Sequence, residues 1–107
     1  MTAQGRRDIV AKRAMERWNA IINGDFAAAY AYMSPASRAT VPLERFEANT
    51  RKGSYRKAEL DHVDCGEETC TVKLWITFDH PQIKGLRSPV EESWIFDHGE
   101  AWYVYRG

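Results

Sequence analysis

The sequence predicts an α+β domain in which three N-terminal helices pack on one face of a four-stranded antiparallel sheet. Three observations lead there. Apolar residues recur at helical spacing in the first half of the chain, and from Tyr55 onward the period becomes two. Short stretches of turn-forming residues then separate the alternating runs, so consecutive strands read as hairpins.

In residues 8 to 22, Val10, Ala14, Trp18, Ile21 and Ile22 share one helix face, with Lys12, Arg13, Glu16 and Arg17 assigned to the other. Asn23-Gly24 supplies a left-handed cap that stops this helix. The Asp25 carboxylate can accept the first free backbone N–H groups of a second helix running from Phe26 to Met33. Ser34-Pro35 ends that helix or starts a short turn finishing near Arg38. Proline has no N–H to leave unpaired, so Pro42 suits the first turn of a third helix. Leu43, Phe46 and Asn49 or Thr50 point inward there, and Lys52-Gly53-Ser54 closes it. Residues 1 to 7 precede the pattern and are expected to be disordered or foreign to a single domain spanning 1 to 107.

The strand signal is plainest where Cys70, Val72, Leu74, Ile76 and Phe78 alternate with Thr71, Lys73, Trp75 and Thr77. Strands are expected at 55 to 65, 69 to 79, 87 to 97 and 101 to 106. Gly66-Glu67-Glu68-Thr69, His80 to Gly85, and Asp97-His98-Gly99-Glu100 join them.

At 107 residues, 44% apolar and 12% aromatic, the chain fills one core and leaves no room for a second domain. Net charge is zero, so no nucleic-acid footprint is implied. The charge is nevertheless unevenly spread. Residues 1 to 57 carry eleven Lys and Arg against five Asp and Glu, and residues 58 to 107 carry four against ten. Two packed layers of opposite sign account for this, with a basic surface for an acidic partner as the other reading. No apolar run approaches the length of about 18 residues that a membrane span needs. The N-terminus carries no signal-peptide stretch, so the protein is cytoplasmic or an export leader has been removed.

Several segments carry a family likeness. They are Arg17 to Phe26, Ala29-Tyr30, Tyr32 to Arg38, Leu43-Glu44-Arg45-Phe46, Cys65 to Cys70, Val90 to Ile95 and Gly99 to Val104. On these residues the chain resembles the nuclear transport factor 2-like superfamily, and within it small exported bacterial members. The resemblance covers about residues 8 to 106 and implies a curved sheet, closed by helices into a cone over an apolar pocket. The superfamily includes isomerase-like, dehydratase-like and cyclase-like enzymes beside transport adaptors and non-catalytic domains, so fold alone does not fix function.

Cys65 and Cys70 flank a turn and face each other across the first hairpin. Opposed residues at a non-hydrogen-bonded position lie about 4.5 Å apart at Cα, which a disulfide tolerates. The expectation is a structural disulfide and an oxidising compartment, periplasmic or lipoprotein-anchored, with two inert thiols as the alternative. Half a metal site is the remaining option, but no second cysteine pair exists, and His62, His80 and His98 show no ligand spacing.

Alternation places Glu92 on the inward face with Val90, Trp94 and Phe96. Left ionised and unpaired there, a carboxylate costs several kcal/mol, so a partner is expected, and Arg38 is the candidate. The catalytic reading gives Glu92 a raised pKa as general acid or base, with Asp61, Tyr30 and Tyr55 as further candidates. Asp61 and His62 are strand neighbours, expected on opposite faces. Trp18, Tyr30, Phe46 and Trp94 are expected to line the pocket. Nucleophile, metal and phosphate-loop motifs are absent from the sequence, and no cofactor is expected.

Trp75, Ile95 and Tyr103 are assigned to the outer sheet face, and the superfamily commonly pairs through that face, so a homodimer is expected. The leading function is a non-catalytic binding or interaction domain, with a small apolar ligand in the cone if the cone is not self-filled. The runner-up is a lyase or isomerase using Glu92 or Asp61 with Tyr30 or Tyr55. A third reading docks Arg6, Arg13 and Arg17 as a basic helical face on acidic lipid or protein.

Overall fold

A computed structural model describes residues 2–105. Four helices come first: α1 (Ala3–Ile22), α2 (Phe26–Tyr30), α3 (Pro35–Thr40) and α4 (Leu43–Arg51). Strands β1 (Tyr55–Cys65), β2 (Thr69–Phe78), β3 (Leu86–Asp97) and β4 (Glu100–Val104) follow as an antiparallel sheet in the order β1-β2-β3-β4. The helices pack on one sheet face, as the change of period requires. No helix among the described residues is long and apolar enough to cross a membrane.

Helix α1 begins at Ala3, so residues 3 to 7 belong to the folded unit, contrary to the expected start at 8. Three contacts hold this first turn and a half. The Thr2 hydroxyl accepts from the Gly5 N–H at 2.9 Å, Gln4 donates to Asp8, and Arg6 donates to the Glu67 carbonyl. The stop falls where predicted. Gly24 takes a φ of +78°, which an L side chain rarely adopts, and the Asp25 carboxylate caps α2 through the Ala28 N–H.

The segment read as a short turn is helix α3. Ser34 accepts from the Ser37 N–H at 3.1 Å and Pro35 occupies the first turn, a complete start signal that shortens α2 to five residues. Ser37 is buried, and its hydroxyl accepts from both the Ser34 hydroxyl and the Tyr105 N–H.

Sheet register follows from the turns. His98 and Gly99 both have positive φ, at 52° and 79°, the geometry of a two-residue hairpin, which pairs Asp97 with Glu100 and therefore Trp94 with Tyr103. Strand β1 carries two irregularities, at Tyr55/Lys57 and Leu60/His62, where an extra residue bends the strand. The inner face presents Cys70, Val72, Leu74, Ile76 and Trp94, all buried beneath Val10, Ala14, Trp18 and Ile21 of α1 and Phe46 of α4.

The free edge of β4 is closed by the helical layer. The Tyr103 N–H donates to the Tyr32 carbonyl and the Tyr103 carbonyl accepts from the Ser34 N–H, both at 2.8 Å, while Arg13 Nε donates to the Ala101 carbonyl at 2.8 Å. An edge so occupied is a poor template for another strand.

Cys65 and Cys70 are directly paired, with Cα atoms 4.0 Å apart, and are disulfide-bonded. The loop they close is short. Chain-entropy bookkeeping gives about 2 kcal/mol, so the bond pins one hairpin register rather than holding the fold. Urea unfolding with and without reductant should therefore show a stability loss of about 2 kcal/mol, with the sheet signal in circular dichroism retained.

Candidate functional site

Glu92 lies on the inner face of β3, opposite Val72, and is 5% exposed. Three donors converge on it. Its Oε2 accepts from Arg17 Nη1 at 2.9 Å and Trp18 Nε1 at 2.8 Å, and its Oε1 accepts from Trp94 Nε1 at 3.2 Å. The burial matches the alternation of the sequence, whereas the partner differs from the expected Arg38. Arg38 instead sits beside the Trp102 ring, 5.6 Å from its centroid, and Arg17 of α1 takes the carboxylate.

Arg17 belongs to the buried stripe because it stands seven residues from Val10 and three from Ala14, both helix-face spacings. Its guanidinium stacks 3.6 Å from the Tyr103 ring centroid, and Tyr103 in turn packs on Trp94 at 5.9 Å. Tyr103 therefore faces inward, which corrects its assignment to the outer face. Trp75 and Ile95 do lie on the outer face, opposite in parity to buried Leu74, Ile76 and Trp94. There Trp75 is overlain by the Arg87 guanidinium at 4.4 Å, and Arg87 Nε bonds Glu59 at 3.3 Å.

Beside the Glu92 cluster a cavity of about 260 Å³ opens between α1, α4 and the sheet. Trp18, Phe46, Tyr55, Tyr103 and Tyr105 supply its rings, and Asn49, Thr50, Arg17 and Glu92 its polar groups. Trp18 and Phe46 are where the sequence reading puts them. Two other expected wall residues are not part of this lining. Tyr30 turns its hydroxyl to the carbonyls of Val41 at 2.7 Å and Arg38 at 3.2 Å, and Trp94 is fully buried behind Glu92.

Asp61 and His62 do meet, against the rule for strand neighbours, because the irregularity at Leu60/His62 breaks the alternation. His62 Nδ1 lies 2.9 Å from Asp61 and its Nε2 3.3 Å from Asp64, all three exposed. His62 pairs with Lys73 on the outer face, across the sheet from Glu92. His80 and His98 occupy exposed turns. Among the described residues no group of three or more His, Cys, Asp or Glu is placed to hold a metal.

The basic helical face also dissolves once its arginines are followed. Arg6 bonds the β1–β2 turn, Arg13 bonds Ala101 and stacks on Tyr32 at 4.7 Å, and Arg17 is buried. Each reaches the sheet or its neighbours rather than leaving its charge to an outside surface.

The surroundings of Tyr32 shift its hydroxyl. Burial, the Glu16 charge and the hydrogen bond it donates to Glu16 at 3.3 Å all raise it above 10.0, with Arg13 partly opposing. Just above pH 10.0 the folded state thus keeps a proton that the unfolded state loses, and stability falls as pH rises there. In an ultraviolet titration, Glu16→Gln should bring the Tyr32 ionisation to lower pH than in the native chain.

The Arg17–Glu92 pair sets a sharper expectation. Arg17→Met leaves a buried carboxylate with two indole donors and no cation, and should lower stability by about 3–5 kcal/mol in urea unfolding. Adding Glu92→Leu to that variant should recover most of the loss, because an apolar pair of similar volume needs no desolvated charge.

No family model matches the chain, and no curated protein matches it in sequence. Solved structures match its shape. A SEC-C motif-containing protein from Psychrobacter arcticus has a TM-score of 0.76 at 9% identity, over 92% of this chain and 60% of that one. Aln2 from a Streptomyces species has 0.62 at 17%, over 89% and 82%. A protein of Campylobacter jejuni described as an NTF2-like transpeptidase has 0.61 at 9%, over 87% and 94%. The chain thus spans less than two thirds of the Psychrobacter protein. At such identities the likeness speaks of fold alone: helices on an open four-stranded antiparallel sheet, in the manner of nuclear transport factor 2-like proteins.

Proposed function

We propose that this chain is a non-catalytic binding domain whose cavity beside Glu92 holds a small, ring-sized apolar ligand. One observation carries the reading. The groups that would do chemistry there are spent on each other: both Glu92 oxygens accept hydrogen bonds, and three donors fix the carboxylate. The rest of the lining sets five aromatic rings beside Asn49 and Thr50, which can orient a guest. The lyase or isomerase alternative loses Asp61 to the outer face and Tyr30 to its carbonyl partners, leaving Glu92 with Tyr55.

Naphthol tests the binding reading, since Trp18 in the wall reports it by fluorescence. Saturable quenching is expected in the native chain and its loss in Thr50→Trp, which fills the cavity, with circular dichroism unchanged. Equal quenching in both would contradict the site.

The hairpin disulfide supports an oxidising compartment, because such bonds persist outside the reducing cytoplasm. Acid-trapped alkylation of protein from its host should find both cysteines blocked; two free thiols would remove the argument. The outer-face homodimer stands as a proposal through Trp75 and Ile95, with Tyr103 withdrawn from it.

A further inference from the structure

A second cavity, of about 380 Å³, lies on the inner side of the sheet, farther along the β2–β3 hairpin than the space beside Glu92. Its floor is one row of inner-face residues: Ile76 and Phe78 of β2, with Ser88 opposite Ile76 and Val90 opposite Leu74 on β3. Ile76 is buried and the other three are half-buried, whereas Lys52 and His80 at the mouth are exposed. Tyr55 lines both cavities. Its ring meets Trp18 edge-on at 5.2 Å and is seated so closely on Gly53 that a Cβ there would overlap it. With that wall held in place, the second cavity takes a guest of its own.

Charge enters at the mouth. Asp79 is the carboxylate among the lining residues, and its Oδ1 accepts from the Gly85 N–H at 2.9 Å and from Arg56 Nη1 at 3.5 Å. Lys52, the cap residue that ends α4, is then the lining charge with no ion-pair partner among the described residues. His80 adds a second donor. The Gln82 N–H donates to His80 Nδ1 at 3.1 Å, so in the neutral ring the proton sits on Nε2. Backbone bonds in both directions between His80 and Ile83 fix the turn that carries this ring. A cation and an N–H above an apolar floor are complementary to a carboxylate on a hydrocarbon body.

We propose that this cavity is a second binding site, separate from the one beside Glu92, and that it takes a small monocarboxylic acid. The hydrocarbon body lies on Ile76, Phe78 and Val90, and the carboxylate stays at the mouth with Lys52 and His80. There the anion keeps part of its hydration and escapes the cost of full burial, while the body leaves water for the floor. This goes beyond the apolar-guest reading above and does not rest on it.

Calorimetric titration of the full chain with butanoate, hexanoate, octanoate, octanol and octylamine tests the site. Affinity should rise about fourfold per methylene from butanoate to hexanoate. Octanoate should bind at least about tenfold more tightly than octylamine. Lys52→Gln should weaken octanoate about fivefold and leave octanol unchanged, the effect of one charge-assisted contact at an exposed mouth. Ser88→Phe, which fills the space above the floor, should abolish octanoate binding while naphthol still quenches Trp18, and Thr50→Trp should leave octanoate binding intact. Should Ser88→Phe fail to fold, octanoate-induced shifts at the Ile76 and Ser88 amides of the native chain, without a shift of the Trp18 indole, carry the same test. Octylamine binding as well as octanoate, indifference of octanoate to Lys52→Gln, or octanoate binding lost in Thr50→Trp would overturn the proposal. Loss of naphthol binding alone would remove the other site and leave this one standing.

Discussion

The structure depends on burying one carboxylate. Glu92 is carried inward by the alternation of β3, and a charge in that position is tolerable only if it is paired and hydrogen-bonded. Helix α1 meets the requirement with two consecutive residues, Arg17 and Trp18, and β3 adds Trp94. Donors at fixed lengths from two layers set how far along the sheet α1 can sit. The same Arg17 then stacks on Tyr103, which draws β4 into the arrangement. From β4 the constraint passes to the Tyr32–Ser34 segment and to α3 through hydrogen bonds that close the sheet edge.

That solution shapes what the cone can do. A carboxylate in an aromatic pocket is the usual raw material of an acid or base, yet here its lone pairs are committed to holding layers together. The cavity beside it sets five aromatic rings next to Asn49 and Thr50, and the proposed apolar guest rests on those rings. Related folds serve both purposes, so the decision lies with these side chains and not with the architecture. Interlayer charge complementarity, suggested by the basic first half and acidic second half, is realised by a few specific contacts. Among the described residues the helix-to-sheet ion pair is Arg17–Glu92, while Arg6 and Arg13 use carbonyl oxygens.

Much of this was legible in the sequence. Period-two alternation located β1 to β3 to within a residue, because a half-buried strand imposes that pattern directly. The opposition of Cys65 and Cys70 followed from the length of the turn between them. Helix α3 carried a readable start in Ser34-Pro35 but is too short to show a period. Glu92 was readable as buried, but its partner was not. Charge type assigned Arg17 to the wet face, although its seven-residue spacing from Val10 placed it with the core. Tyr103 was recoverable too, since a two-residue turn at His98-Gly99 fixes its pairing with Trp94. The meeting of Asp61 with His62 was hidden, because the extra residue at Leu60/His62 is defined by pairing across the sheet, which residue types along one strand do not reveal.

The most direct test of the central claim reads the two indole N–H groups themselves. If Trp18 and Trp94 both donate to a buried carboxylate, their indole resonances in a proton–nitrogen correlation spectrum should lie downfield and exchange slowly with solvent. In Glu92→Leu both should move upfield together. Fast exchange of either indole proton, or a spectrum indifferent to that substitution, would contradict the account.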